Sequence, residues 1–183
     1  MAIKHIGRGS VVLCSIGIIV LLGLAACAPP TPPEPEQAES IKLKGIFPGK
    51  TTREEVIRNL GEPAKSEMEE GMEVLEYPSA HELMPHGVYL KDDVVVLVGA
   101  HISEEDDFTV SEVIAKYGEP AKKTYSYYSD GAFTYIYPSR GLALIVNEDL
   151  DIVFEEQCFV PMSLEEYMQT WGKDLPLENP YTK

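Results

Sequence analysis

Cationic side chains are scarce in this chain. Fifteen Lys and Arg stand against 30 Asp and Glu in 183 residues, a net charge of −15. No basic patch large enough to neutralise a run of phosphates can be built from that balance, which excludes nucleic acid as a partner. Attraction to anionic lipid headgroups is disfavoured for the same reason. Cysteine is scarce too, and residues 14, 27 and 158 are too few for a disulfide scaffold. Long apolar runs are missing. Val11–Leu24 is almost wholly apolar, but as a helix it spans about 21 Å against a bilayer core of about 30 Å. Signatures of catalysis are missing as well: there is no G-x-S-x-G turn and no glycine-rich phosphate loop. What is present is apolar material for a core, 44% of residues, so the chain is not disordered overall.

The N-terminus reads as an address. Lys4, His5 and Arg8 precede the short apolar run, and small residues close it, as in a secretory signal peptide. Leu24-Ala25-Ala26-Cys27 looks like the lipobox of bacterial lipoproteins. That resemblance implies cleavage after residue 26, lipidation of Cys27 and attachment to a membrane through its acyl chains, since two or more chains anchor stably. Ala28 follows where an Asp would mark inner-membrane retention, so the outer membrane, facing the periplasm, is the expected destination in a diderm host. Loss of residues 1–26 removes Lys4 and Arg8 and no acid, which takes the net charge from −15 to −17. Cys158 is then the one thiol left, in an apolar run where a buried, inert side chain is expected.

Residues 28–40, APPTPPEPEQAES, hold five prolines and no large apolar side chain. Such a segment stays extended, on the order of 40 Å as polyproline II. With Cys27 it forms a tether over residues 27–44. A repeat follows. Residues 52–65, TREEVIRNLGEPAK, match residues 109–122, TVSEVIAKYGEPAK, at nine of 14 positions, and Tyr77-Pro78-Ser79 recurs as Tyr137-Pro138-Ser139. The conserved order marks a duplicated unit, over 45–105 and 106–161. Each unit opens with a short amphipathic helix: Thr52 with Glu55, and Thr109 with Glu112, have capping-box spacing. Gly61 and Gly118 are expected to stop the helices in the left-handed conformation, with Pro63 and Pro120 preventing continuation.

Beyond each helix the periodicity becomes two. Strands are expected at 65–69, 72–77, 87–91 and 94–102 in unit one, and at 122–128, 132–137, 142–146 and 152–160 in unit two. Glu70-Gly71 and Asp130-Gly131 read as hairpin turns. The expected fold is α+β, a tandem repeat of a short helix and a three- to four-stranded antiparallel meander. A C-terminal helix over 163–171 and a polar tail occupy 162–183, the helix covering apolar sheet.

Gly49-Lys50-Thr51-Thr52, Val56 and Leu60-Gly61-Glu62-Pro63 are similar to the G-M-T, V and L-G-x-P signature of the BamE/SmpA/OmlA envelope lipoproteins, with Lys50 in place of Met. Unit two retains Val113 and Tyr117-Gly118-Glu119-Pro120. The duplication resembles that of the beta-lactamase inhibitory protein-like fold. These resemblances imply a protein-binding envelope module rather than an enzyme.

No catalytic residue, cofactor or metal site is expected. His81 and His86 are five apart with Pro85 between them, so they cannot share a helical zinc face. His101 stands near Glu104, Glu105, Asp106 and Asp107, an acidic run without the alternation or glycine of a calcium loop. A dyad of Cys158 with a histidine would be spatial and leaves no local mark. The feature expected to touch a partner is aromatic: Tyr125, Tyr127, Tyr128, Phe133 and Tyr135 crowd one hairpin. Alternation puts Phe133, Tyr135 and Tyr137 on one face and Thr134 and Ile136 on the other. The leading expectation is a lipid-anchored scaffold that binds an envelope protein, in outer-membrane assembly or maintenance. An inhibitor or small-ligand binder using the tyrosine face is the alternative, and an envelope hydrolase the third.

Overall fold

The computed structural model of the chain describes residues 36–182 apart from 82 and 107. The export signal, Cys27 and the tether as far as residue 35 lie outside the described residues. Among the described residues, no helix is long and apolar enough to cross a membrane.

Three helices are short: α1 (Arg53–Leu60), α2 (Val110–Tyr117) and α3 (Leu164–Gln169). Eight strands make up the bulk: β1 (Lys65–Glu69), β2 (Met72–Tyr77), β3 (His86–Lys91), β4 (Val94–His101), β5 (Lys122–Tyr125), β6 (Ala132–Tyr137), β7 (Leu142–Asn147) and β8 (Ile152–Phe159). All pairings are antiparallel, and the strands form one sheet in the order β1-β2-β3-β4-β8-β7-β6-β5.

This corrects the expected fold class. The chain is not a tandem repeat of a helix and its own small meander. It is a helix-poor protein dominated by one eight-stranded sheet, in which β4 pairs with β8 from Leu97↔Phe159 to His101↔Glu155. The physical reason lies in those two strands. A four-stranded meander ending at β4 would leave an apolar strand, VVVLVGAH, with unpaired amides at its edge. Pairing β4 with β8 satisfies both ladders and turns both strands into central ones, with buried and half-buried residues along each.

The local signals explain the helices. Both capping boxes form: Thr52 Oγ1 accepts from the Glu55 N–H while the Thr52 N–H donates to Glu55, and Thr109 and Glu112 do the same. Gly61 and Gly118 stop the helices at positive φ, 85° and 76°, but with ψ near −170°, not in the expected left-handed helical conformation. That region is open essentially to glycine alone. Tyr77 Oη donates to the Gly61 carbonyl at 3.1 Å and Tyr137 Oη to the Gly118 carbonyl at 2.9 Å. The recurring tyrosines thus satisfy the carbonyls exposed where each helix ends.

The core is split by the sheet. On one face Leu75, Val88, Val98, Leu144 and Tyr135 pack with Val56 of α1, Val113 of α2 and the arm residues Leu43 and Ile46. On the other, Ile136, Ala143 and Phe159 pack beneath Tyr167 of α3, whose ring lies 4.9 Å from that of Phe159. Each fully buried Val, Leu, Ile or Phe among them contributes roughly 1.5–3 kcal/mol. Residues 38–43, which close the proline-rich segment, lie against the first face. There the buried Glu156 carboxylate accepts from Ser40 Oγ at 2.6 Å, from the Ile41 N–H at 2.7 Å and from the Lys42 N–H at 3.2 Å.

Candidate functional site

The β5–β6 hairpin carries the aromatic residues singled out in the sequence, and the structure sorts them. Tyr135 is 5% exposed and faces the helix side, its hydroxyl bonded to the Glu148 carboxylate. Burial, then that carboxylate, push its hydroxyl pKa far up, so it is a neutral core tyrosine. Tyr125 and Phe133 are half-buried and lie against each other, ring centres 5.4 Å apart. Lys123 Nζ sits 3.7 Å from the Phe133 ring centre and also pairs with Glu148. Although burial opposes it, the Lys123 ammonium and the Tyr135 hydroxyl hold the Glu148 carboxyl below its usual range. Three of the five expected contact residues therefore bind mainly to their own domain.

Tyr127 and Tyr128 are different, with 65% and 37% exposure. Both lie in the turn rather than in β5, which stops at Tyr125. The strand is shorter than its alternation predicts because Ser126 already closes the ladder. Its N–H donates to the Ala132 carbonyl at 3.0 Å, and its hydroxyl accepts from the Tyr128 N–H at 3.1 Å. That turn aims Tyr128 at Phe154, on which it stacks at 4.6 Å and 18°. Tyr128 Oη also approaches Met84 Sδ at 3.9 Å. Tyr181 Oη donates to the Tyr127 carbonyl at 2.6 Å, and Tyr181 as a residue is 46% exposed. Leu83, beside Met84, is 87% exposed.

An exposed aromatic patch thus forms at one end of the sheet. Phe154, Met84 and Tyr181 escape a reading of the sequence, because they come from β8, the β2–β3 loop and the C-terminal segment. Phe154 is presented by a bulge: Ile145 pairs with Glu155 and Val146 with Val153, so Phe154 has no partner across the ladder. Nothing local marks that irregularity. Burial and the charge of nearby Glu155 raise the Tyr128 hydroxyl pKa. The patch offers apolar area, hydroxyls and a carboxylate, a combination suited to contact with protein.

Cys158 is buried, and burial, followed by the neighbouring Glu156 charge, raises its thiol far above the range of a reactive thiolate. His86 is buried and neutral. Its Nδ1 accepts from the His101 N–H at 3.2 Å, and burial, then Lys42 and His101, lower its pKa. Among the described residues, no group of three His, Cys, Asp or Glu side chains is placed to hold a metal ion. The acidic run after His101 is partly folded in: Asp106 pairs with Lys42 and accepts from the Ser103 N–H at 2.7 Å.

No protein-family model matches the chain, and no curated protein does. Among solved structures it is similar to a DUF4309 family protein, YjgB, from Bacillus subtilis. The match has 13% identity and a TM-score of 0.44 over 63% of this chain and 83% of that one. A likeness that distant carries no argument about activity.

Proposed function

We propose that this protein is a lipid-anchored envelope protein that binds another protein through the exposed patch around Tyr127 and Tyr128. One observation carries the binding half: Tyr127, Tyr128, Tyr181 and Leu83 are all solvent-exposed large side chains, brought to one end of the sheet from three separate segments. Aromatic side chains gathered at the surface supply the contact area that hot spots use. The lipobox at Leu24–Cys27 supports the anchor, and the motifs at Gly49–Pro63 and Tyr117–Pro120 support a place beside the BamE/SmpA/OmlA group. Binding is preferred to catalysis because, among the described residues, the Cys158 thiol and the buried His86 imidazole are both held in unreactive forms.

Two experiments test this. Labelling with an alkyne fatty acid should mark the wild type and not Cys27→Ser; equal labelling of both removes the anchor. Affinity capture from crosslinked, detergent-solubilised envelopes should recover a defined protein with the wild type. The double variant Tyr127→Ala, Tyr128→Ala should lose it while still unfolding in one cooperative transition, destabilised by no more than about 0.5–1.5 kcal/mol, the worth of the lost Tyr128–Phe154 stacking. Equal recovery by the double variant would remove the patch from the function.

A further inference from the structure

β5 is an outermost strand, paired only with β6. Because the Ser126 N–H donates to Ala132 across that pair, antiparallel alternation turns the main-chain groups of Lys122 and Thr124 toward β6. Those of Lys123 and Tyr125 face away from the sheet. A groove of about 470 Å³ runs along this edge, lined by Lys122, Lys123, Thr124, Tyr125, Phe133 and Leu177. The Thr124 hydroxyl is buried, 4% exposed as a residue, and has no hydrogen-bond partner.

The edge also differs in charge from the rest of this acidic domain. Lys122 makes no ion pair among the described residues, and Lys123 shares only Glu148. Lys116 and Arg140 stand 4.7 and 5.6 Å from the ring centre of Tyr117, which itself lies 5.7 Å from Tyr137 on neighbouring β6, where, among the described residues, Glu119 is the one carboxylate that acts on the Tyr137 hydroxyl. The opposite edge of the sheet has no such surplus: Lys65 on β1 is occupied by Glu67 and Glu76.

We propose that the outer edge of β5 takes an extended acidic segment of the partner protein as a ninth strand, the main chain of Lys123 and Tyr125 forming the ladder and the lysines meeting carboxylates. This rests on the reading of the hairpin end as a protein-binding face, and it names the partner's chemistry. Strand addition draws its affinity from main-chain hydrogen bonds and its selectivity from flanking side chains. Lysines on an edge also repel a second lysine-bearing edge, so pairing of two copies β5 to β5 is disfavoured, whereas an acidic segment is attracted.

The test uses the whole domain and a labelled hexapeptide alternating glutamate with valine, with a lysine–valine peptide as control. The acidic peptide should bind by fluorescence anisotropy at low salt, at least tenfold tighter than the basic one, and weaken as salt is raised. Hydrogen exchange at the Lys123 and Tyr125 amides should slow on binding. Lys122→Glu should weaken binding several-fold with its melting temperature unchanged, and Lys123→Pro should abolish it. Equal binding of the two peptides, or binding without protection of those amides, overturns the proposal. So does self-association by sedimentation that protects them without any peptide, because a second copy would then be the occupant. The double tyrosine variant separates the two readings. If it loses the envelope partner while the acidic peptide never protects β5, the edge fails and the patch stands; if peptide binding holds while partner capture ignores the tyrosines, the patch fails.

Discussion

Two buried ionisable residues carry opposite pH signatures. Glu156 accepts from Ser40, Ile41 and Lys42, which clamps the N-terminal arm to the sheet. Replacing it by Ala leaves those donors buried and unpaired, so Glu156→Ala should cost roughly 2–3 kcal/mol by urea denaturation. Burial raises its pKa despite these donors. A raised folded pKa contributes stability that is present below the unfolded value and lost as pH rises through the folded one. The stability gap between wild type and Glu156→Gln should therefore narrow as pH is raised from 4; a gap that widens would show the opposite shift. His86 behaves the other way. Its folded pKa is depressed, chiefly by burial, so its contribution is present above the unfolded value of about 6.5 and lost as pH falls. Between pH 7 and pH 5 the wild type should lose stability that His86→Phe does not, as measured by denaturation at each pH.

At the scale of elements, the hairpin shows what a sequence can and cannot reveal. Strand positions, turns and both capping boxes are legible because their determinants are local, such as Thr52 with Glu55 or alternation along 132–137. Which face of β6 receives the helices is not local. The spacing that separates Tyr135 from Ile136 says nothing about Val113 of α2 lying over one side, so alternation alone leaves Tyr135 as available as Tyr127. Tyr135→Ala should cost about 3–5 kcal/mol, and Tyr127→Ala less than about 0.5 kcal/mol, in thermal or chemical melts. The turn joining β6 to β7 supplies a second test. Gly141 sits at φ 63° with its would-be Cβ 2.0 Å from the Phe159 carbonyl oxygen, a backbone atom that cannot yield cheaply. Gly141→Ala should destabilise by more than about 1 kcal/mol, because left-handed strain and a clash combine. A neutral effect in a urea melt would contradict this packing.

For the whole molecule, the junction of β4 with β8 decides the architecture. The repeat at residues 52–65 and 109–122 is plain in the sequence, yet the pairing of β4 with β8 joins residues from 54 (His101 with Glu155) to 62 (Leu97 with Phe159) positions apart. One trace of the junction is present: Val94–Val98 is apolar without alternation, as suits a strand covered on both faces. One continuous sheet predicts a single cooperative transition, with slow-exchanging amides of β2 and β6 reporting the same opening free energy. Two transitions would mean that the halves fold independently. The same continuity brings Met84, from before β3, to Tyr128, from after β5, and so assembles the patch on which the functional account depends. The most direct measurement is photo-crosslinking in living cells, with a photoreactive phenylalanine at position 127 and, as control, at the exposed position 165 on α3. Position 127 is predicted to yield one discrete protein adduct and position 165 none. Silence at 127, or the same adducts from both positions, would contradict a protein-binding role for this face.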